Sequence, residues 1–148
     1  MDRIDQKIMD ILQKDASISN VRLAGKVGLA PSSCLRRVAA LKKKGVIRRI
    51  VALPDAEKVG RGLKVIVTVK LKEHDDASLQ SVIQRFNDSG AVSQVYTVSG
   101  ETDLIVVMSA PTMSAFQGAI KEILSEVGIV EQYFSHFILE EHKFEPSL

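Results

Sequence analysis

The chain has 148 residues, 45% of them hydrophobic, which suits one ordinary folded domain or two small ones and argues against extensive disorder. Its charged opening, the lack of any apolar run near the roughly 20 residues that cross a bilayer, and a single cysteine, Cys34, lead to an expectation of no signal peptide, no membrane span, no intrachain disulfide and a cytoplasmic setting. The net charge of +2 conceals a division, since residues 1–60 hold 13 Lys/Arg against 6 Asp/Glu and residues 61–148 hold 7 against 12, so two modules with different partners are expected, the first partner polyanionic.

In chain order, "DRIDQKIMDIL" spaces Ile4, Ile8, Ile11 and Leu12 as one apolar helical stripe, with Asp2 able to cap the start and an end expected near Lys14. After "DASIS", Ser19 can cap a second, short helix that buries Leu23, Ala24 and Val27, and Gly28 supplies a left-handed stop. A third helix follows at once, with Pro31 in its first turn, where the missing N–H costs nothing, and Gly45 closing it after Lys44. On this third helix Leu35, Val38 and Leu41, with Cys34 beside them, are expected to face the core, leaving Ser32, Ser33, Arg36, Ala40 and Lys43 outward. That outer surface is small, polar and cationic, and it suits a DNA major groove. Arginine can bond guanine O6 and N7 in a bidentate manner, serine can donate or accept, and alanine permits close approach. Arg22, Lys26, Lys42 and Lys44 are better placed to meet phosphate, which positions a protein without reading sequence.

Two short helices joined across a glycine, the second cationic on its outer face, make a helix-turn-helix. Nine basic and no acidic side chains lie between Asp15 and Asp55. Taken alone, that run could also be an ordinary solvated face. "GVIRRIVALP" then reads as a short strand or wing in which Val46, Ile47, Ile50 and Val51 pack while Arg48 and Arg49 stay wet. "DAEKVGRG" reads as the hinge between modules.

The rhythm changes at "LKVIVTVKLK", a strand with Leu63, Val65, Val67, Val69 and Leu71 on one face. A helix on Leu79, Val82, Ile83 and Phe86 follows, then two strands, "AVSQVYTVS" and "TDLIVVMSA", flanking a short turn at Gly100 and Glu101. Thr112 can cap a helix built on Phe116, Ala119, Ile120, Ile123 and Leu124, and "IVEQYFSHFILEE" supplies a last strand. The order βαββαβ is the split βαβ arrangement, a four-stranded antiparallel sheet with two helices on one face. Val67, Val69, Val106 and Phe137 are read as too apolar for the other face to stay wet, so a homodimer is expected to cover it.

"IDQKIMDILQKD", "LAGKVGLAPSSCLRRVAALKKKGVI" and a βαββαβ module carrying "VSGETDLIVVM" together resemble the Lrp/AsnC family of feast-or-famine transcriptional regulators over nearly the whole chain. The resemblance implies an α+β fold, an N-terminal winged helix-turn-helix followed by a C-terminal ferredoxin-like βαββαβ (RAM) domain. It also implies binding of double-stranded DNA, a homodimer that assembles further to a tetramer or octamer, and a small effector, usually an amino acid, bound between subunits. Within "APSSCLRRV", Pro31, Cys34, Leu35, Arg37 and Val38 occupy the family's places, which adds Arg37 to the DNA candidates, while Ala30 replaces the serine that commonly caps this helix. "SGETD" resembles the family's turn beside the effector site. Gly100, Glu101, Thr102 and Asp103 are therefore effector candidates, with Thr102 in place of the usual aromatic residue. Gly100 would admit backbone amides to a ligand and Asp103 would accept from an α-amino group. The competing reading leaves Gly100 as a hairpin turn and Asp103 as a cap on a backbone amide. Ser135 and His136 are added from the last strand.

The expected domains are 1–52 for DNA binding, 53–62 as linker, and 63–148 for effector binding and oligomerisation. His74, His136 and His142 have no metal-ligand spacing with Cys34, and no P-loop, GxSxG, HExxH or dinucleotide fingerprint is present, so neither an enzyme nor a metal nor a cofactor is expected. A stand-alone amino-acid-binding module acting through protein contacts is the alternative function. It leaves the basic N-terminal part unexplained.

Overall fold

The computed structural model describes residues 1–73, 75–124 and 128–145. Contacts divide the chain into two units, Met1–Leu53 with the tail that begins at His142, and Pro54–Glu141. The sequence alone assigns that tail to the second module, whereas its contacts group it with the first.

The first unit contains α1 (Arg3–Leu12), α2 (Asn20–Val27) and α3 (Pro31–Lys43). Asp2 starts α1, its Oδ1 accepting from the amides of Ile4 at 2.9 Å and Asp5 at 2.8 Å, and the Asp5 side chain accepts in return from the Asp2 amide. This reciprocal cap satisfies amides that a helix start otherwise leaves unpaired. Ser19 caps α2, and Gly28 ends it at φ 70°, a conformation that a side chain would strain. Helix α3 has Ala30 at its N-cap with no side-chain bond and Pro31 directly after it. Ile8, Leu23, Ala24, Val27, Cys34, Leu41 and Ile47 form the buried core, with Ile4, Ile11, Leu12 and Val38 packed partly against it.

The strand or wing expected after α3 is not formed. Amides of Val46 and Ile47 turn back onto the Leu41 carbonyl at 3.0 and 3.2 Å, and only Ile47 is buried, while Val46, Ile50 and Val51 are exposed. A strand needs a ladder partner, and among the described residues none pairs with this segment. The expected hinge also has order of its own. Asp55 Oδ1 accepts from the amides of Glu57 and Lys58, and the Arg61 amide reaches the Ala56 carbonyl at 2.7 Å.

The second unit runs β1 (Leu63–Leu71), α4 (Asp76–Asp88), β2 (Val92–Thr97), β3 (Leu104–Ala110), α5 (Met113–Leu124) and β4 (Val130–Phe137). The sheet is antiparallel in the order β2-β3-β1-β4, the ferredoxin-like topology. Alternation along β1 buries Val65, Val67, Val69 and Leu71, and β3 buries Leu104, Val106, Met108 and Ala110 beside them. Val82 and Phe86 of α4 and Phe116, Ile120 and Ile123 of α5 complete this core, with Phe116 edge-on to Phe137 at 5.4 Å. Asp75 caps α4 through the Ser78 amide at 2.9 Å, and Thr112 Oγ1 accepts from the Ala115 amide at the start of α5.

Val67, Val69, Val106 and Phe137 therefore belong to the helix-covered side, contrary to their use above as evidence for an uncovered face. Cross-strand register places other apolar side chains opposite the helices: Ile66 pairs with Val107 and His136, and Thr68 pairs with Ile105 and Phe134. Tyr96 continues that row from β2. Phe134 and Tyr96 are each 51% exposed, so these residues make the open face apolar, an assignment that alternation alone leaves open because a slip of one residue inverts it.

Candidate nucleic-acid interface and ligand cleft

Helix α3 buries Cys34 and Leu41 and half-buries Val38, a line spaced four and three residues apart. Leu35 does not share it. One residue beyond Cys34 it is rotated by about 100°, and it is 59% exposed rather than packed in the core. On the outer side Ser32, Arg36, Ala40 and Lys43 are exposed and Ser33 is half-buried. The flanking cations Arg22, Lys26, Lys42 and Lys44 are exposed as well. This face therefore presents hydroxyls, small side chains and positive charge from α3, with further cations from α2. Cys34 is a core residue, and burial pushes its thiol pKa up.

Arg37 departs from the expected DNA-facing group. Its Nη1 donates to Asp2 Oδ2 at 2.6 Å and to Asp5 Oδ1 at 2.8 Å, so the guanidinium is held against the start of α1. The Asp2 carboxyl is held below its usual value first by the Asp5 amide and then by Arg37. A second pin joins two helices: Asn20 Nδ2 donates to the Pro31 carbonyl at 2.8 Å, tying the first turn of α2 to the first turn of α3. Eleven residues separate the two, and no local pattern announces such a bond.

In the second unit a cleft of about 490 Å³ is lined by Thr68, Lys70, Gly100, Glu101, Thr102, Asp103, Gln132 and Phe134. The turn between β2 and β3 forms one wall, and Gly100 sits in it at φ 124°, a region that favours glycine. Asp103 is built into the sheet end. Its amide donates to the Val69 carbonyl at 2.9 Å, its carbonyl accepts from Val98 at 3.0 Å, and its Oδ2 accepts from the Leu71 amide at 2.8 Å. The backbone-capping reading of Asp103 thus describes its geometry, while the residue also lines the cleft.

From β4 the cleft takes Gln132 and Phe134 in place of the expected Ser135 and His136. Ser135 pairs with Val67, whose side chain is on the helix-covered face, so alternation turns it away. His136 shares the open face with Phe134, ring centroids 6.5 Å apart, but is one row removed from the cleft. Thr68 and Lys70 were legible as the outward positions of β1, whereas Gln132 and Phe134 depend on cross-strand register. Lys70 also pairs with Glu131 at 3.2 Å. Carboxylates, an ammonium, hydroxyls and an amide around one small opening suit a zwitterion, with the Phe134 ring as an apolar wall. Among the described residues no three His, Cys, Asp or Glu side chains gather as a metal site, and no helix is long and apolar enough to cross a membrane. His74 lies outside the described residues.

Residues 1–48 match the family described as winged helix-turn-helix DNA-binding, and residues 64–148 match the Lrp/AsnC ligand binding domain. The chain belongs to the Lrp/AsnC family. It is a transcriptional regulator in which a DNA-binding helix-turn-helix is joined to a ligand-binding domain. It is 38% identical to a leucine-responsive regulatory protein of Rhizobium meliloti over 84% of this chain and 80% of that protein. A glutamate uptake regulatory protein of Zymomonas mobilis is 32% identical, over 88% of this chain and 80% of that one. Among solved structures, a transcriptional regulator of Neisseria meningitidis in complex with L-Met superposes with a TM-score of 0.92 at 30% identity, covering 100% of this chain and 96% of the other.

Proposed function

We propose that this Lrp/AsnC regulator reads DNA with the outer face of α3 and that an amino acid bound in the cleft of the second unit adjusts that reading. The observation that carries the first part is the α3 surface itself, where Arg36 and Lys43 stand exposed among small residues. Ser32, Ser33, Arg36, Ala40 and Lys43 meet base edges, and Arg22, Lys26, Lys42 and Lys44 meet phosphates. The second part is supported by the mixed charge of the cleft and by the L-Met complex of the Neisseria relative. A second copy covers the open sheet face carrying Ile66, Ile105, Val107, Tyr96 and Phe134. Dimers then assemble to tetramers or octamers in the cytoplasm.

A dimer presents two α3 helices to successive major grooves, so its site is a pseudo-palindrome with half-sites about one or two helical turns apart. An effector changes DNA affinity only by preferring one arrangement of the assembly. Selection of bound fragments from sheared genomic DNA at near-physiological salt, with and without pooled amino acids, tests both parts. Enrichment of a pseudo-palindrome that shifts with one amino acid supports the proposal. A folded protein that enriches nothing over random DNA points instead to a ligand-binding module acting through protein contacts.

A further inference from the structure

The DNA-facing helix carries two adjacent arginines, and the geometry points to different work for each. Arg36 is exposed. Arg37 keeps only 33% of its side-chain exposure and bridges two carboxylates of α1 through one nitrogen, at 2.6 Å to Asp2 and 2.8 Å to Asp5. We infer that Asp2, Asp5 and Arg37 form a clamp that sets the orientation of α3, so that Arg37 is a positioning residue for DNA reading and does not itself contact DNA.

Three observations converge on this assignment. Helix α3 lacks a side-chain cap at Ala30, so its placement depends on bonds to other elements. The hydrogen bond from Asn20 to the Pro31 carbonyl fixes the first turn, and Arg37, about two turns further along, is among the described residues the next point at which a polar bond ties α3 to another helix. Asp2 and Asp5 are also the two members of the reciprocal cap of α1. The clamp thereby joins the start of one helix to the middle of another, and charge-assisted bonds of this length are the stronger kind. Side chains that read bases must be held to a fraction of an ångström, whereas phosphate attraction tolerates looser placement. Loss of the clamp should therefore fall on sequence reading and spare general attraction to DNA.

The sign of the effect at Asp5 separates positioning from electrostatics. Removing a carboxylate from a DNA-binding surface strengthens attraction to a polyanion if charge is all that matters. A clamp predicts the reverse on the specific site. The inference rests on the proposed DNA reading, and Arg36→Ala is the control that keeps the two apart. The full-length protein and its Arg37→Met, Asp5→Asn, double and Arg36→Ala variants are titrated against the duplex most enriched by the wild type and a scrambled duplex, across a salt series.

Arg37→Met and Asp5→Asn should each weaken binding to the enriched duplex about tenfold, leave the scrambled duplex within twofold, and leave the salt slope unchanged. The double variant should be no worse than the single ones, because the two act as a unit. Equal losses on both duplexes with a slope about 0.9 shallower for Arg37→Met would mark it as a phosphate contact and overturn the clamp. Unchanged or tighter binding of Asp5→Asn to the enriched duplex would overturn it as well, and that variant decides the matter if Arg37→Met does not fold. Failure of Arg36→Ala to change the ratio between duplexes contradicts the DNA reading itself.

Discussion

In the first unit the candidate site is a convex helix face, mostly supplied by α3, whereas in the second it is a concave cleft assembled from β1, the β2–β3 turn and β4. The difference decides what each can tolerate. Side chains on an exposed helix face stand free of the core, so Arg36 or Lys43 can change with little effect on folding. Cleft residues are partly made of the sheet's own hydrogen bonding, as Asp103 is, so ligand contacts and fold integrity are entangled there. Replacing Phe86, the largest fully buried side chain of the second unit, by Ala should cost about 3–5 kcal/mol. Thermal unfolding should register that loss, while at low temperature the binding of random DNA, which belongs to the first unit, persists. Simultaneous loss of both would erase the distinction between the units.

A smaller effect sharpens the contrast within the cleft. Asp103→Ala leaves the Leu71 amide without its carboxylate partner and should destabilise the protein by about 1–3 kcal/mol. Asp103→Asn retains an acceptor and should cost less. Denaturant titrations of the two variants check this, and equal stability in both would remove the capping role. On the helix face the comparable change is nearly silent for folding: Lys42→Ala should leave the melting temperature in place and make the salt dependence of DNA binding shallower by about 0.9. An unchanged slope would take Lys42 off the phosphate contacts.

The smallest expected effect is one both units share. Asp2 is held below the usual 3.8 by the Asp5 amide first and Arg37 next, and Asp75 is held below it by the Ser78 hydroxyl and amide. A carboxyl whose pKa is lower in the folded state stabilises the fold fully above its unfolded value, and that contribution disappears as pH falls through the folded value. Stability should therefore fall modestly below about pH 4, and Asp2→Asn together with Asp75→Asn should flatten that part of the profile. An unaltered acid limb in the double variant would show that these caps do not contribute to it.

Helical periodicity made most of the first unit legible, because a stripe such as Ile4, Ile8 and Ile11 requires no knowledge of any partner. The departures from that reading have separate causes. Leu35 does not continue the line of Val38 and Leu41, which Cys34 extends instead, and the ion pair that holds Arg37 against Asp2 and Asp5 spans more than thirty residues and leaves no mark on spacing. In the second unit alternation identified β1 and gathered Val65, Val67, Val69 and Leu71 on one face, but it did not tell which face the helices cover. Which residues of β4 lie beside Thr68 and Lys70 was not readable, since a shift of one residue exchanges Phe134 for Ser135. The segment after α3 has the apolar content of a strand but no pairing partner among the described residues, so sequence preference alone overstated its structure.

One titration tests whether the cleft controls DNA reading. The affinity of the full-length protein for its enriched duplex is measured with each of the common amino acids in turn, beside a Gln132→Ala variant that alters the cleft wall without touching α3. One amino acid should shift the apparent Kd by about 5- to 150-fold, and Gln132→Ala should weaken this response while its affinity without effector matches the wild type. No response to any amino acid, or a full response in the variant, would contradict control by the cleft.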